Sequence, residues 1–188
     1  MIVAQIIGLL GMAANIISFQ FKSKKGILLC QLVGSVLFTV NLFMLHAVMG
    51  GLANMIGIVR SLAYMKENAS KRFRYLVAAL LMALHLVSYV CVFAVFQKEP
   101  TAFNLIIEFL PLIGVGALML GLCKNNAGAI RMAGCINSPC WLVYNVVNFA
   151  IGGILCEVFS LISILLAYAR LDAKKKHNSD DSKRSASK

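Results

Sequence analysis

Charge is what this sequence has least of. Of its 188 residues only 7 are Asp or Glu, and charged residues of all kinds reach 13%, against about 25% in a usual soluble domain. That leaves too little polar surface to coat a globule in water. With 60% hydrophobic residues and a mean hydropathy of +0.84, most of the chain has lipid as its natural solvent. Metal and redox motifs are missing as well. Cys30, Cys91, Cys123, Cys135, Cys140 and Cys156 lie in or beside apolar tracts, form no CxxC pair and share no metal-ligand spacing with histidine. They read as small packing residues. No phosphate loop, catalytic triad or paired-acid motif is present, so neither an enzyme nor a cofactor is expected. No Lys or Arg precedes Lys22. A cleaved signal peptide opens with a positive region, so the first apolar tract is expected to stay as a membrane helix.

What the chain does have is apolar length. A spanning helix needs about 20 mostly apolar residues. Seven tracts qualify, at about 2–21, 26–47, 48–66, 74–97, 103–123, 128–148 and 150–170. Residues 171–188 are polar and are expected to form a disordered tail. Short junctions containing glycine, His46 to Gly51 and Asn148 to Gly153, predict tight helical hairpins.

The net charge of +11 gathers in alternate connectors. Lys22, Lys24 and Lys25 fill the first, Lys66, Lys71, Arg72 and Arg74 the third, Lys124 and Arg131 the fifth, and six Lys or Arg the tail. The second and sixth have none, and the fourth has Lys98 beside Glu99. Basic residues on one side of a membrane mark the cytoplasm. The pattern therefore predicts seven helices, the N-terminus outside and the C-terminus in the cytoplasm. Membrane lipid is the expected partner of these basic residues, and nucleic acid is not. A homo-oligomer is left open.

An offset of 103 residues aligns Phe38 with Trp141, Gly50 with Gly153 and Asn54 with Glu157. The basic, uncharged, basic order of loops also recurs in each triplet of helices. The expected fold is all-α, a 3+1+3 parallel repeat of two three-helix bundles. Residues 1–66 form the first bundle, 67–100 the linking fourth helix, 101–170 the second bundle and 171–188 the tail.

Cys140-Trp141-Leu142-Val143-Tyr144-Asn145, then Ile151-Gly152-Gly153, Glu157 and Arg170, resemble the last third of the YgjV family of bacterial inner-membrane proteins. Glu108-Phe109-Leu110-Pro111-Leu112-Ile113-Gly114 resembles that family's fifth helix, and Asn54 to Arg60 is similar in kind. More distantly, Leu52-Ala53-Asn54 and Trp141-Leu142-Val143-Tyr144 resemble the SWEET, SemiSWEET and PQ-loop group. That resemblance implies a tryptophan and an asparagine facing a central cavity, sixteen residues apart, as Trp141 and Glu157 and also Phe38 and Asn54 are. The Pro-Gln pair of that group is missing, one half lacks the tryptophan and one asparagine has become Glu157. These departures count against hexose.

The candidate substrate-binding residues are Phe38, Asn54, Trp141, Tyr144 and Glu157. Glu157 lies well inside a membrane helix, where a carboxylate costs about 2.5–3.5 kcal/mol on insertion scales, so it is expected to face a cavity or a partner. Phe38 and Trp141 lie too deep for an interfacial aromatic belt. Pro139, after Asn137-Ser138, interrupts the hydrogen bonding of its helix beside Trp141, a feature of transporter binding sites. Arg60, six residues before Lys66, is expected to snorkel to the cytoplasmic surface, and His85 and His46 to be structural. Glu108 is as well suited to a structural as to a functional role. The leading expectation is alternating-access passage of a small polar solute, an amine-bearing one from Glu157. The runner-up is a non-transporting receptor or regulatory protein on the same scaffold.

Overall fold

The computed structural model describes residues 1–18, 24–64, 69–124 and 127–166. Those residues form seven α-helices and no strand. They are α1 (Ile2–Ser18), α2 (Lys24–Met44), α3 (Val48–Tyr64), α4 (Lys71–Ala94), α5 (Ala102–Lys124), α6 (Ala127–Val147) and α7 (Ile151–Leu166). The expected tail, 171–188, lies outside the described residues, as do Lys22, Lys66 and Arg170.

Two of the described helices, α4 and α5, combine the length and apolarity a membrane crossing needs. α6 is 21 residues long, but Asn137, Ser138 and Asn145 lower its hydropathy. Ser138 and Asn145 are buried, as are Asn41, Ser61, His85 and Glu108. The outside is the reverse. Leu76, Leu80, Val87 and Val90 of α4, Ile106 of α5 and Leu165 of α7 are each more than half exposed. A soluble protein places its large aliphatic side chains inside. Polar groups inward and Leu and Val outward is the arrangement for a hydrocarbon solvent, where every backbone and polar group must find its partner within the protein.

Contacts between helices fix their directions. Asn41 of α2 donates to the Ala4 carbonyl at 2.6 Å while Gly34 faces Asn15, so α1 and α2 are antiparallel. α7 runs parallel to α1: Gln5 takes the Ile151 amide at 3.1 Å, Gly152 meets the Gly8 backbone and Cys156 meets Asn15. The connections α2–α3, α4–α5 and α6–α7 therefore lie at one end of the molecule, the turn end. The opposite helix ends, which carry Lys24, Lys71, Arg72 and Lys124, lie at the other, the basic end.

The hairpin turns correct one expectation. Gly50, Gly51, Gly152 and Gly153 sit inside helices, and none of the described glycines has a positive φ. The left-handed position is taken instead by His46 (φ 59°) and Phe149 (φ 52°). The amide of Ala47 then bonds the Leu42 carbonyl at 2.9 Å, and that of Ala150 bonds Asn145 at 2.9 Å. The glycines serve close approach. A Cβ on Gly50 would lie 2.5 Å from the Tyr144 ring, and one on Gly152 would collide with the Gly8 backbone.

Two boundaries also differ from expectation. α2 stops at Met44 because His46 leaves helical space. α4 starts at Lys71, three residues early, because the Ser70 hydroxyl caps it by accepting from the Phe73 amide at 3.1 Å. Pro139 does not break α6, which is helical through it, as α5 is through Pro111.

Candidate functional site

Polar side chains of α1, α2, α3, α6 and α7 converge on a cavity of about 360 Å³. Phe38, Asn54, Trp141 and Glu157 all line it. Its wall runs from Ala53 and Gly153, near the turn end of their helices, to Tyr64 and Leu122 near the basic end. Above it, towards the turn end, the protein is solid: Asn41, Leu42, Met49, Glu108 and Tyr144 are each 2% exposed or less.

Each aromatic ring has its own glycine. A Cβ on Gly114 of α5 would lie 3.3 Å from Trp141 Cδ1 and 3.3 Å from the Asn137 carbonyl. A Cβ on Gly11 of α1 would lie 3.4 Å from Phe38 Cδ2 and 3.4 Å from the Gly34 carbonyl. Close packing of α1 on α2 and of α5 on α6 thus sets both rings against the cavity. Asn54 donates Nδ2 to the Gly50 carbonyl one turn back, at 3.0 Å. Glu157 is hydrogen-bonded by the Ser138 side chain.

Tyr144 departs from its expected role. It is fully buried and does not line the cavity. Its hydroxyl accepts the Gly50 amide of α3 at 2.8 Å and donates to Glu108 Oε2 of α5 at 3.3 Å. Lys98 completes the chain as an ion pair with the other oxygen of Glu108. The α3 amide is one of those a helix N-terminus leaves without an intrahelical partner, so the tyrosine ties the start of α3 to α5 and α6. Trp141 meets its ring edge-on, with centroids 5.8 Å apart. Side chains three and four residues apart share a helix face; here Trp141 and Asn145 line the cavity while Tyr144 turns from it to α3 and α5. Glu108, left open between two roles, is fully buried and held between Tyr144 and Lys98. His85 is buried, with Nδ1 donating to the Leu81 carbonyl at 2.7 Å. His46 is exposed in its turn.

Arg60 overturns the surface expectation. It lines the cavity, and its Nη2 lies 3.7 Å from where a Gly57 Cβ would be. Helical side chains lean towards the helix N-terminus, which for α3 is the turn end, so the guanidinium folds back over Gly57 instead of reaching the basic surface. Asn137 was also missed; it lines the cavity with a buried Oδ1 that has no hydrogen-bond partner among the described residues. Both were findable. Arg60 is two i, i+3 steps from Asn54 through Gly57, and Asn137 is one turn before Trp141.

Arg60 and Glu157 are the two charged residues of the cavity wall among the described residues. The ion pair formed among those residues is Lys98 with Glu108, so neither charge of the cavity is consumed by the other.

Neither a curated protein nor a solved structure matches the chain. A protein family does, across residues 2–175. With its lipid-facing exterior and polar interior, the chain belongs to the YgjV family of bacterial inner membrane proteins.

Proposed function

We propose that the protein carries a small polar solute across the inner membrane by alternating access. The single observation behind this reading is the polar cavity that is walled by both ends of the chain and packed shut towards the turn end. Bundles α1–α3 and α5–α7 would rock about the cavity, joined by α4, exposing it to one side and then the other. The reading is of passage, not of chemistry performed on the solute.

Three local similarities support a parallel repeat. The His46 and Phe149 turns share their left-handed residue and their hydrogen bonds at the 103-residue offset. Gly11 and Gly114 pack against Phe38 and Trp141 in the same way at that offset. Gln5 and Glu108 are also 103 apart, and each serves the opposite bundle. Gln5 donates to the Phe149 carbonyl at 2.7 Å in the α6–α7 turn, and Glu108 holds the Tyr144 hydroxyl that receives the Gly50 amide of α3. Such crossed contacts suit a pseudo-twofold axis along the membrane normal.

Positive residues at the basic end orient it to the cytoplasm, with the N-terminus outside. In the conformation described, the cavity then faces inward and the Tyr144 chain is the closed outer gate. Purified full-length protein in vesicles should give saturable uptake from a panel of labelled amino acids, amines and sugars. A cross-link between the bundles should abolish it. Tight binding of a solute that is never carried across under any gradient would replace this reading with that of a receptor.

A further inference from the structure

The cavity wall is not uniformly polar. It has a donor side and an acceptor side. On α3 the charged group is the Arg60 guanidinium, which has five N–H donors and no acceptor. The Asn54 amide brings no charge to balance it: one N–H of its Nδ2 bonds the Gly50 carbonyl, and its Oδ1 is a neutral acceptor. On α7 stands the Glu157 carboxylate, an acceptor. Ser138 of α6 hydrogen-bonds Glu157 and so holds the carboxylate on the α6–α7 side of the cavity. Phe38 and Trp141 supply apolar faces.

A buried charge left without a partner is strongly unfavourable, and a membrane interior sharpens that. An uncharged sugar would leave both Arg60 and Glu157 unmatched. A simple amine would leave Arg60, and a simple carboxylate would leave Glu157. One class satisfies both. An ammonium has donors alone and suits Glu157, while a carboxylate has acceptors alone and suits the planar fork of Arg60. The volume, about 360 Å³, is that of about a dozen liquid waters, which suits a solute of a similar number of heavy atoms.

We propose that the cavity binds a zwitterionic solute of the amino-acid class, carboxylate on Arg60 and ammonium on Glu157, with the side chain against Phe38 and Trp141. The proposal rests on reading the cavity as a solute site and extends it to a substrate class. It also revises the amine expected from Glu157 alone, because Arg60 brings the opposite charge into the same space.

The test is stabilisation of the purified full chain by each of the twenty amino acids, with glucose as the uncharged comparison. For the strongest amino acid, its methyl ester keeps only the cation and its N-acetyl derivative only the anion. Each should bind about ten- to a hundredfold more weakly, the factor expected for one charge-assisted contact. Arg60→Gln should erase the preference over the methyl ester, and Glu157→Gln the preference over the N-acetyl derivative. Arg60→Lys should keep much of the former, and its unliganded melting temperature controls for folding. Stabilisation by glucose above every amino acid, silence of all twenty, or binding of either derivative as tightly as the parent amino acid would overturn the proposal. Binding without uptake would leave the assignment standing and remove the transporter reading; saturable glucose uptake with silent amino acids would do the reverse.

Discussion

Tyr144→Phe removes one oxygen and nothing else. The hydroxyl accepts the Gly50 amide at 2.8 Å and donates to Glu108 at 3.3 Å. The second distance is beyond the usual range for an O–H donor, so the first contact carries most of the effect. Hydrogen bonds between membrane helices average about 0.6 kcal/mol and reach about 1.7. Here the loss also strands a buried amide, which costs about 1–3 kcal/mol. A net of about 1–2 kcal/mol corresponds to about five- to thirtyfold in a two-state equilibrium. If the contact is an outer gate, that factor should appear as opening towards the turn end. The assay is labelling of Leu42→Cys, a residue that both lines the cavity and belongs to the packed layer, in a background without the native cysteines. A membrane-impermeant maleimide applied outside should react about five- to thirtyfold faster in Tyr144→Phe. A variant that melts lower yet labels no faster would refute the gate and leave Tyr144 as interhelical glue.

Gly50→Ala should mimic that opening, because its methyl would sit 2.5 Å from the Tyr144 ring and displace it; the same labelling rate reads it. Gly152→Ala should sharply lower folded yield, since its methyl meets the Gly8 backbone, whereas Gly116→Ala should be neutral or stabilising, having only the flexible end of Met82 at 3.5 Å; melting of the two variants side by side decides. Lys98→Ala should destabilise by about 3–5 kcal/mol, the usual cost of stripping a buried charge of its partner, because Glu108 is fully buried. Reporter fusions should place the 66–74 connector and the tail in the cytoplasm and Lys98 outside, and an externally active tail reporter would reverse the orientation.

Much of the fold is legible in the sequence because hydrocarbon imposes a minimum length and a low charge on every crossing. The helix ends are less so. Ser70 caps α4 before Lys71 and Arg72, basic residues that the hydropathy pattern assigned to the connector. Glycine is the residue expected in a tight turn, yet His46 and Phe149 take the left-handed positions and glycine is used where helices touch. Phe38, Asn54, Trp141 and Glu157 were expected at a cavity through the resemblance to the SWEET group, and all four line it. Tyr144 is not among them: Asn145, one residue further on, lines the cavity while Tyr144 turns to α3 and α5, and the sequence holds no mark of which side of α6 meets the space. Arg60 was misplaced for a related reason: its long side chain can reach the nearer surface or fold back, and the choice depends on the space over Gly57, which only tertiary packing creates.

That space offers the most direct test of the claim that solute passes through the cavity. A Cβ on Gly57 meets nothing but Arg60 Nη2 at 3.7 Å. Gly57→Leu would therefore grow into the cavity without disturbing helix packing. In vesicles containing equal amounts of folded protein, the account predicts an unchanged melting temperature and loss of saturable uptake. Uptake at the native rate through a correctly folded Gly57→Leu protein would contradict it.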